Sequence, residues 1–512
     1  MNSLELEFSK IFKRPKESLA IIILHIGIIL IVGCVSHTQY TKPSDKENSL
    51  FYFRKCVDQI LQDSLLHQTQ TGIKIVSLET GEILYSRDSH QLFHPASNVK
   101  LLTTAVALKR LGPDYKFKTA LYTDRGSLSD STLNTDLYIK GFGDPDLTTN
   151  DLQYMISQLK SQGIKHIRGE LICDDTYFDD LYYGSGWMWD DASAWEFAPI
   201  NALSVNDNCV RVTVKPGLKI GDSITISLEP HTSYMKIINK GISVDPLDTL
   251  KQKLFKVERN WKDHENSIIV EGGLSINSSA LSYIIDVIDA QMYAGSLFGE
   301  LLSQANILFQ GKIRKGSIPD TAVLLVEHFS SPLSAIVMNT NKNTDNLSAE
   351  LTLKAIGAKL KGQPGTAKKG ISAIYEYLKK IGIDSNSCKI SDGSGVSRYN
   401  LITPDLIIEL LKDMHNDTNL QAIFKASLPI AGVDGTLKNR MVESLASKKL
   451  YAKTGNLSGV SALSGYTSTL DGELVAFSIL MEHFLHTNSK INDIQDKIGE
   501  LISSFSRRQG RR

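Results

Sequence analysis

Cysteine is scarce in this chain, five residues in 512, which excludes a small disulfide-stapled scaffold. Neither charge sign dominates. Lys plus Arg and Asp plus Glu number 56 each, so the electrostatic footprint of a nucleic-acid binder is missing. Long apolar runs are missing too: the stretch Leu19 to Gly33 covers 15 residues, interrupted by His25, short of the roughly 20 that a bilayer-spanning helix needs. Metal-ligand spacing is equally poor. The four cysteines beyond Cys34 show none, and only His90 and His94 stand at i, i+4, with Gln91 where a metalloprotease helix needs a Glu base. No metal or other cofactor is expected. What is left is an ordinary globular composition, at a length for two to four domains.

The first residues read as an address and not as fold. Lys10, Lys13, Arg14 and Lys16 precede the apolar run, and Ile31-Val32-Gly33-Cys34 closes it. This end resembles a bacterial lipobox, so residues 1–34 are expected to be a lipoprotein-type signal with Cys34 lipidated, followed by a linker over 35–49. A single-pass anchor is the alternative. Both place the body outside the cytoplasm, periplasmic and tethered to a membrane. There Cys56, Cys173, Cys209 and Cys388 are free to pair or to stay as buried thiols. Residues 507–512 read as a solvated basic tail.

Three short motifs then follow in one order: Ser97-Asn98-Val99-Lys100, Thr344-Asp345-Asn346 and Lys453-Thr454-Gly455. That ordered trio is the signature of β-lactamases and penicillin-binding proteins. Single motifs carry little weight, since S-x-x-K recurs at Ser157-Lys160 and Ser233-Lys236. Surroundings decide. Ser97 leads into Leu101, Leu102, Ala105, Val106 and Leu108, a run apolar on nearly every side, which predicts a buried helix starting near Pro95. A spacing of three puts Ser97 and Lys100 on one side of it.

Strand–turn–strand patterns lie at both ends of the body. Gly72–Val76 and Ile83–Tyr85 form one, and Ala462–Ser468 and Leu474–Met481 form the other. A helix over about 50–66 opens the body, and one carrying Ile491, Ile494 and Ile498 closes it. One antiparallel sheet flanked by these helices is expected, an α+β catalytic domain over 50–114 and 326–506. Ser97 and Thr344 are 247 positions apart, whereas Thr344 and Lys453 are 109 apart. The longer gap is filled by short β-like runs, so 115–325 is expected to be an inserted β-rich region in two parts, the inner one about 141–210.

With these features the chain resembles the class C penicillin-binding proteins, the D-alanyl-D-alanine carboxypeptidase/endopeptidase family of serine peptidases. The resemblance is also carried by Gly141-Phe142-Gly143-Asp144-Pro145, by 198–208, by Asp392-Gly393-Ser394-Gly395-Val396-Ser397-Arg398 and by 431–437. It implies a β-lactamase/transpeptidase-like fold and peptidoglycan stem peptides as substrate. Acylation by β-lactam antibiotics follows, because a penicillin presents a carboxylate and a strained amide in the same relation. Two departures stand out: Thr344 replaces the usual Ser, and Asn456 replaces the usual hydroxyl residue after Lys-Thr-Gly.

A serine hydroxyl needs a base, and no motif positions a His, so Lys100 is the expected base, kept neutral by a nearby cation such as Lys453. The family pattern assigns Ser97 as nucleophile and gives Thr344 the proton for the leaving amine. Asn346 orients the acyl-donor amide and Lys100. Lys453 completes the proton relay and, with Thr454, binds the terminal carboxylate; Thr454, Gly455 and Asn456 are the substrate-binding residues, and the Ser97 and Asn456 N–H groups form the oxyanion hole. A β-lactamase-like hydrolase and an idle wall-binding lipoprotein with the same fold are the competing readings. Asp392–Gly395 is expected to be a tight turn without chemistry. The acidic residues Asp174, Asp175, Asp179, Asp180, Asp190 and Asp191 read as surface carboxylates, and Trp187, Trp189 and Trp195 as core of the insertion.

Overall fold

The computed structural model describes residues 45–125 and 128–508. The expected signal segment, Cys34 and the end of the basic tail lie outside them. Five antiparallel strands form the central sheet. Gln70–Ser77 (β1) and Ile83–Arg87 (β2) come from the start, and Tyr451–Leu457 (β3), Val460–Ser468 (β4) and Leu474–Glu482 (β5) from the end, in the order β3-β4-β5-β1-β2. Ile75 pairs with Phe477 where the two ends of the chain meet. Both faces are covered, which is why these strands are apolar almost without alternation.

On one face lie helices Asp45–Ile60 (α1) and Asn488–Ser504 (α4). Phe53, Val57, Ile494 and Ile498 pack there against Ile73, Leu463 and Phe477. The other face carries a helical layer built around Val99–Leu111 (α2) and Asn346–Lys361 (α3), which share one apolar cluster. Residues 99–108 of α2 and 346–358 of α3 are all buried. Each of the first two motifs therefore opens a helix sealed in the core. Asp345 caps α3, its carboxylate accepting from Ser348 N at 3.0 Å. Gly112 and Gly362 end the two helices.

The region between the halves is β-rich, but its division differs from the expected one. Strands 118–123, 137–141, 171–174, 313–315 and 323–329 form one five-stranded sheet. Two three-stranded sheets built from 209–286 are inserted within that unit. The inner part is thus 209–286 and not 141–210, because 137–141 pairs with 118–123. The expected boundary at 326 falls inside a strand. Val323–Phe329 pairs with 118–123, and Ser330 N donates to Phe117 O, so the chain returns to the catalytic unit at about 330.

Three smaller expectations also change. Residues 45–49 of the expected linker are already helical. Arg507 is no free tail: its guanidinium pairs with Glu473 at 2.7 Å and Glu82 at 2.7 Å. None of Trp187, Trp189 and Trp195 is core, and Trp189 is 77% exposed. Cys56, Cys173, Cys209 and Cys388 are all free thiols.

Candidate active site

Ser97 sits in a single 3-10 turn, Ala96–Asn98, that runs straight into α2. Lys100 follows one turn on, its Nζ 3.1 Å from Ser97 Oγ. The same Nζ donates to Asn346 Oδ1 at 2.5 Å and to Ser394 O at 2.7 Å. Asn346 is fixed in turn, its Nδ2 donating to Glu196 O at 2.9 Å. Lys453, from the edge strand β3, donates to Thr344 Oγ1 at 2.8 Å. Beside it the Thr454 and Thr436 hydroxyls are 2.6 Å apart. All three motifs converge on one cavity of about 690 Å³, lined by Ser97, Thr344, Asn346, Thr454, Gly455 and Asn456 among others.

Close backbone approach builds the nucleophile's seat. A Cβ on Gly455 would lie 2.9 Å from Ser97 N, so only glycine lets strand β3 pass this near the serine amide. Gly395 has φ +87°, and a Cβ there would lie 1.9 Å from Ala96 O. Two non-glycine residues pay in strain: Ala96 at φ 45° and Thr344 at φ 57° are both left-handed. For a β-branched residue that conformation is a genuine outlier, of the kind that collects at functional sites. It adds to the χ1 restriction expected for Thr344.

The electrostatics follow from burial. Lys100 and Lys453 are both 0% exposed. Burial pushes the Lys100 amine down to about 8, while Asp392, Asp345 and Glu350 oppose the fall. Lys453 is driven well below its ordinary value, first by burial and then by the like charge on Lys100. Two amines in one dry site cannot both hold protons cheaply, so they titrate as a pair.

Two groups at the site escaped the sequence reading. Glu350 is fully buried, and its Oε1 accepts from Gly393 N at 2.9 Å and Ser394 N at 2.8 Å. Burial, then the charge of Asp392, pushes its carboxyl up to about 7. Asp392 accepts from Trp187 Nε1, Ser397 N, Gly395 N and Asn400 Nδ2. Together they fix the tight turn at Asp392–Gly395, whose Ser394 carbonyl holds Lys100. The available signal was spacing, since Glu350 lies at i+4 from Asn346 on the same helix. Asp190, Asp191 and Arg398 also line the cavity, which draws two of the supposed surface acids into the site.

His94 is engaged elsewhere: its N and Nδ1 lie 2.8 Å from Glu482 Oε2, a bond that raises its pKa. Among the described residues, no His, Cys, Asp and Glu are grouped to hold a metal ion.

Residues 53–504 match the model of the D-Ala-D-Ala carboxypeptidase 3 (S13) family. A D-alanyl-D-alanine carboxypeptidase of Actinomadura sp. is 33% identical over 477 residues, covering 89% of this chain and 85% of the relative. The D-alanyl-D-alanine carboxypeptidase DacB of Haemophilus influenzae is 28% identical, covering 81% of this chain and 86% of its own. The crystal structure of penicillin binding protein 4 from Haemophilus influenzae superposes with a TM-score of 0.78 at 25% identity, covering 88% of this chain and 99% of that one.

Proposed function

The chain belongs to the D-Ala-D-Ala carboxypeptidase 3 (S13) family, and from that premise we propose that it removes the terminal D-Ala of peptidoglycan stem peptides through an acyl-enzyme on Ser97. The observation that carries this is the 3.1 Å approach of Lys100 Nζ to Ser97 Oγ inside a cavity that also holds Thr344 and Thr454. The edge of strand β3 offers main-chain groups to an extended peptide.

In this reading the substrate's terminal carboxylate meets Lys453, Thr454 and Thr436. A carboxylate there favours the proton on Lys453, and that charge disfavours a second on Lys100. The substrate thus helps to make its own base. Neutral Lys100 takes the Ser97 proton as Oγ attacks the penultimate D-Ala carbonyl. The Ser97 and Asn456 N–H groups receive the oxyanion, and the proton taken up by Lys100 passes by way of Lys453 and the Thr344 hydroxyl to the departing amine as the C–N bond breaks, which leaves Lys100 neutral again. Water then hydrolyses the ester, with Lys100 again as base.

A penicillin fits the same clamp and acylates Ser97, so labelling by a fluorescent penicillin tests nucleophile and clamp together. The absence of any labelling would favour the idle, wall-binding reading. Release of the acyl group within seconds would favour a β-lactamase. Cleavage of D-Ala–diaminopimelate cross-links differs only in what lies beyond the scissile bond, and digestion of cross-linked muropeptides measures it.

The N-terminal sequence supports an exported protein held at a membrane through Cys34. Among the described residues no helix is long and apolar enough to cross a membrane; the proposed tether is residues 1–34, on the sequence alone. Cys34→Ser should release the protein from the membrane fraction. Unchanged sedimentation with membranes would exclude the lipid anchor.

A further inference from the structure

The wall of the catalytic cavity formed by Met188 and Phe197 has a second cavity on it, of about 390 Å³, and the two cavities share those residues. Its character differs from the first. Aromatic rings dominate, from Tyr183, Trp187, Trp189 and Trp261. Trp189 and Trp261 form a tilted pair with ring centroids 5.4 Å apart. The first belongs to the wall segment and the second to the inner inserted unit. Trp189 is 77% and Tyr183 46% exposed, so both rings are open to a ligand from solution.

One charged group at this cavity is incompletely paired. Arg259 is 2% exposed and makes two bonds to Asp286, Nε to Oδ1 and Nη2 to Oδ2, each 3.0 Å. Its Nη1 has no partner within the protein, although an orphaned buried guanidinium N–H costs free energy. Lys262, His264 and Asp286 also line the cavity.

We propose that this cavity is a subsite for the sugar-bearing end of the peptidoglycan strand, and the proposal rests on the carboxypeptidase reading above. A sugar ring lays its C–H face on Trp189 and Trp261, and a carboxylate of the adjoining stem reaches Arg259 Nη1. Polarity of the substrate argues for this occupant. A stem peptide whose terminal carboxylate lies at Lys453 and Thr454 carries its sugar-linked end away from that clamp. Phe197 follows Glu196, whose carbonyl holds Asn346, so the shared wall begins where the acyl-donor chain leaves the serine. Aromatic faces suit a sugar ring, and the guanidinium fork suits a carboxylate.

The test compares one pentapeptide stem in two forms, free and carrying its disaccharide. The intact enzyme is expected to favour the disaccharide form by about tenfold in kcat/KM, the factor that one added modest contact supplies. Trp189→Ala and Trp261→Ala should erase that preference without changing turnover of the free peptide or labelling by penicillin. Amidating the stem carboxylate next to the sugar should weaken the preference with the protein untouched, which avoids unfolding the buried Arg259 pair. Equal use of both forms by the intact enzyme, or a preference that survives both Trp changes, overturns the subsite. Failure to turn over either peptide overturns the carboxypeptidase reading itself.

Discussion

The catalytic unit buries its charges, whereas the inserted region exposes its rings. In the first, Lys100, Glu350, Asp392 and Lys453 are all 0% exposed and lie around one nucleophile. In the second, Trp189 and Tyr183 stand open to solvent, and the Arg259–Asp286 pair is a buried salt link between its inner sheets. Burial lowers the pKa of both lysines beside Ser97, so the proposed mechanism places proton transfer in the first region and recognition by open rings in the second. The two are not separable bodies. Tyr177, Phe178 and Ile200 share the apolar cluster of α2 and α3, and Glu196 and Trp187 bond to Asn346 and Asp392. A deletion of 118–329 would strip that cluster.

The largest expected effect tests whether chemistry is confined to the first region. Ser97→Ala should abolish covalent penicillin labelling while the thermal unfolding of the protein stays within about 1 kcal/mol of the parent, since one hydroxyl is a small packing loss. Labelling that persists in this variant would place the nucleophile elsewhere. Next comes Thr344→Val, which keeps shape and branching but removes the hydroxyl that Lys453 donates to at 2.8 Å. Peptide turnover should fall about a hundredfold, the lower end for a positioned proton-transfer group. Thr344→Ser should hold or gain activity, because it eases a β-branched residue out of a left-handed strain. Unaltered peptide kinetics in the Val variant would remove Thr344 from the relay.

How far the sequence could be read follows the same divide. Strands β1, β2, β4 and β5 and the helix after Ser97 are local patterns, apolar runs with turn residues between them, and they lie where those patterns put them. Strand β3 was legible as a motif and not as a strand. The motif residues were equally legible, since type and spacing carry them. The insertion was harder. Its sheet joins 118–123 to 323–329 across more than two hundred residues, and short alternating runs do not say which partner they choose. Glu350 and Asp392 were hidden for another reason: their role is to hold a backbone carbonyl against Lys100, and no side-chain motif encodes a carbonyl. Arg507 read as tail because its partners, Glu473 and Glu82, are remote in sequence.

A smaller effect concerns pH. In the proposed mechanism Lys100 works as a neutral amine, and burial brings its pKa down to about 8. Penicillin acylation should therefore rise with pH through about 8 and fall below it as the amine takes up its proton. Glu350, when charged, raises the Lys100 pKa. Glu350→Gln removes that charge but leaves an oxygen to accept from Gly393 N and Ser394 N. The midpoint should move to lower pH by about half a unit, roughly twofold in neutral amine at pH 7.5. Because the Glu350 carboxyl is pushed up to about 7, the two profiles should converge below that pH and separate above it. A midpoint moving upward would mean that Glu350 does not act on Lys100 through its charge.

The smallest expected effect probes the seam between the regions. Trp187 belongs to the insertion, yet its Nε1 donates to Asp392 Oδ2 at 3.0 Å while its ring meets Phe197 edge-on. Trp187→Phe keeps an aromatic ring and removes only the donor. Asp392 retains its bonds from Ser397 N, Gly395 N and Asn400 Nδ2, so the turn that holds Lys100 should survive. Stability should drop by about 1.5 kcal/mol, the lower range for a bond to a charged group, readable as a denaturant midpoint shift at constant slope. Acylation at saturating penicillin should slow by less than about threefold. If acylation instead collapsed as in Ser97→Ala while the midpoint barely moved, the inserted region would be part of the proton-transfer machinery, and the division between buried chemistry and exposed recognition would fail at this bond.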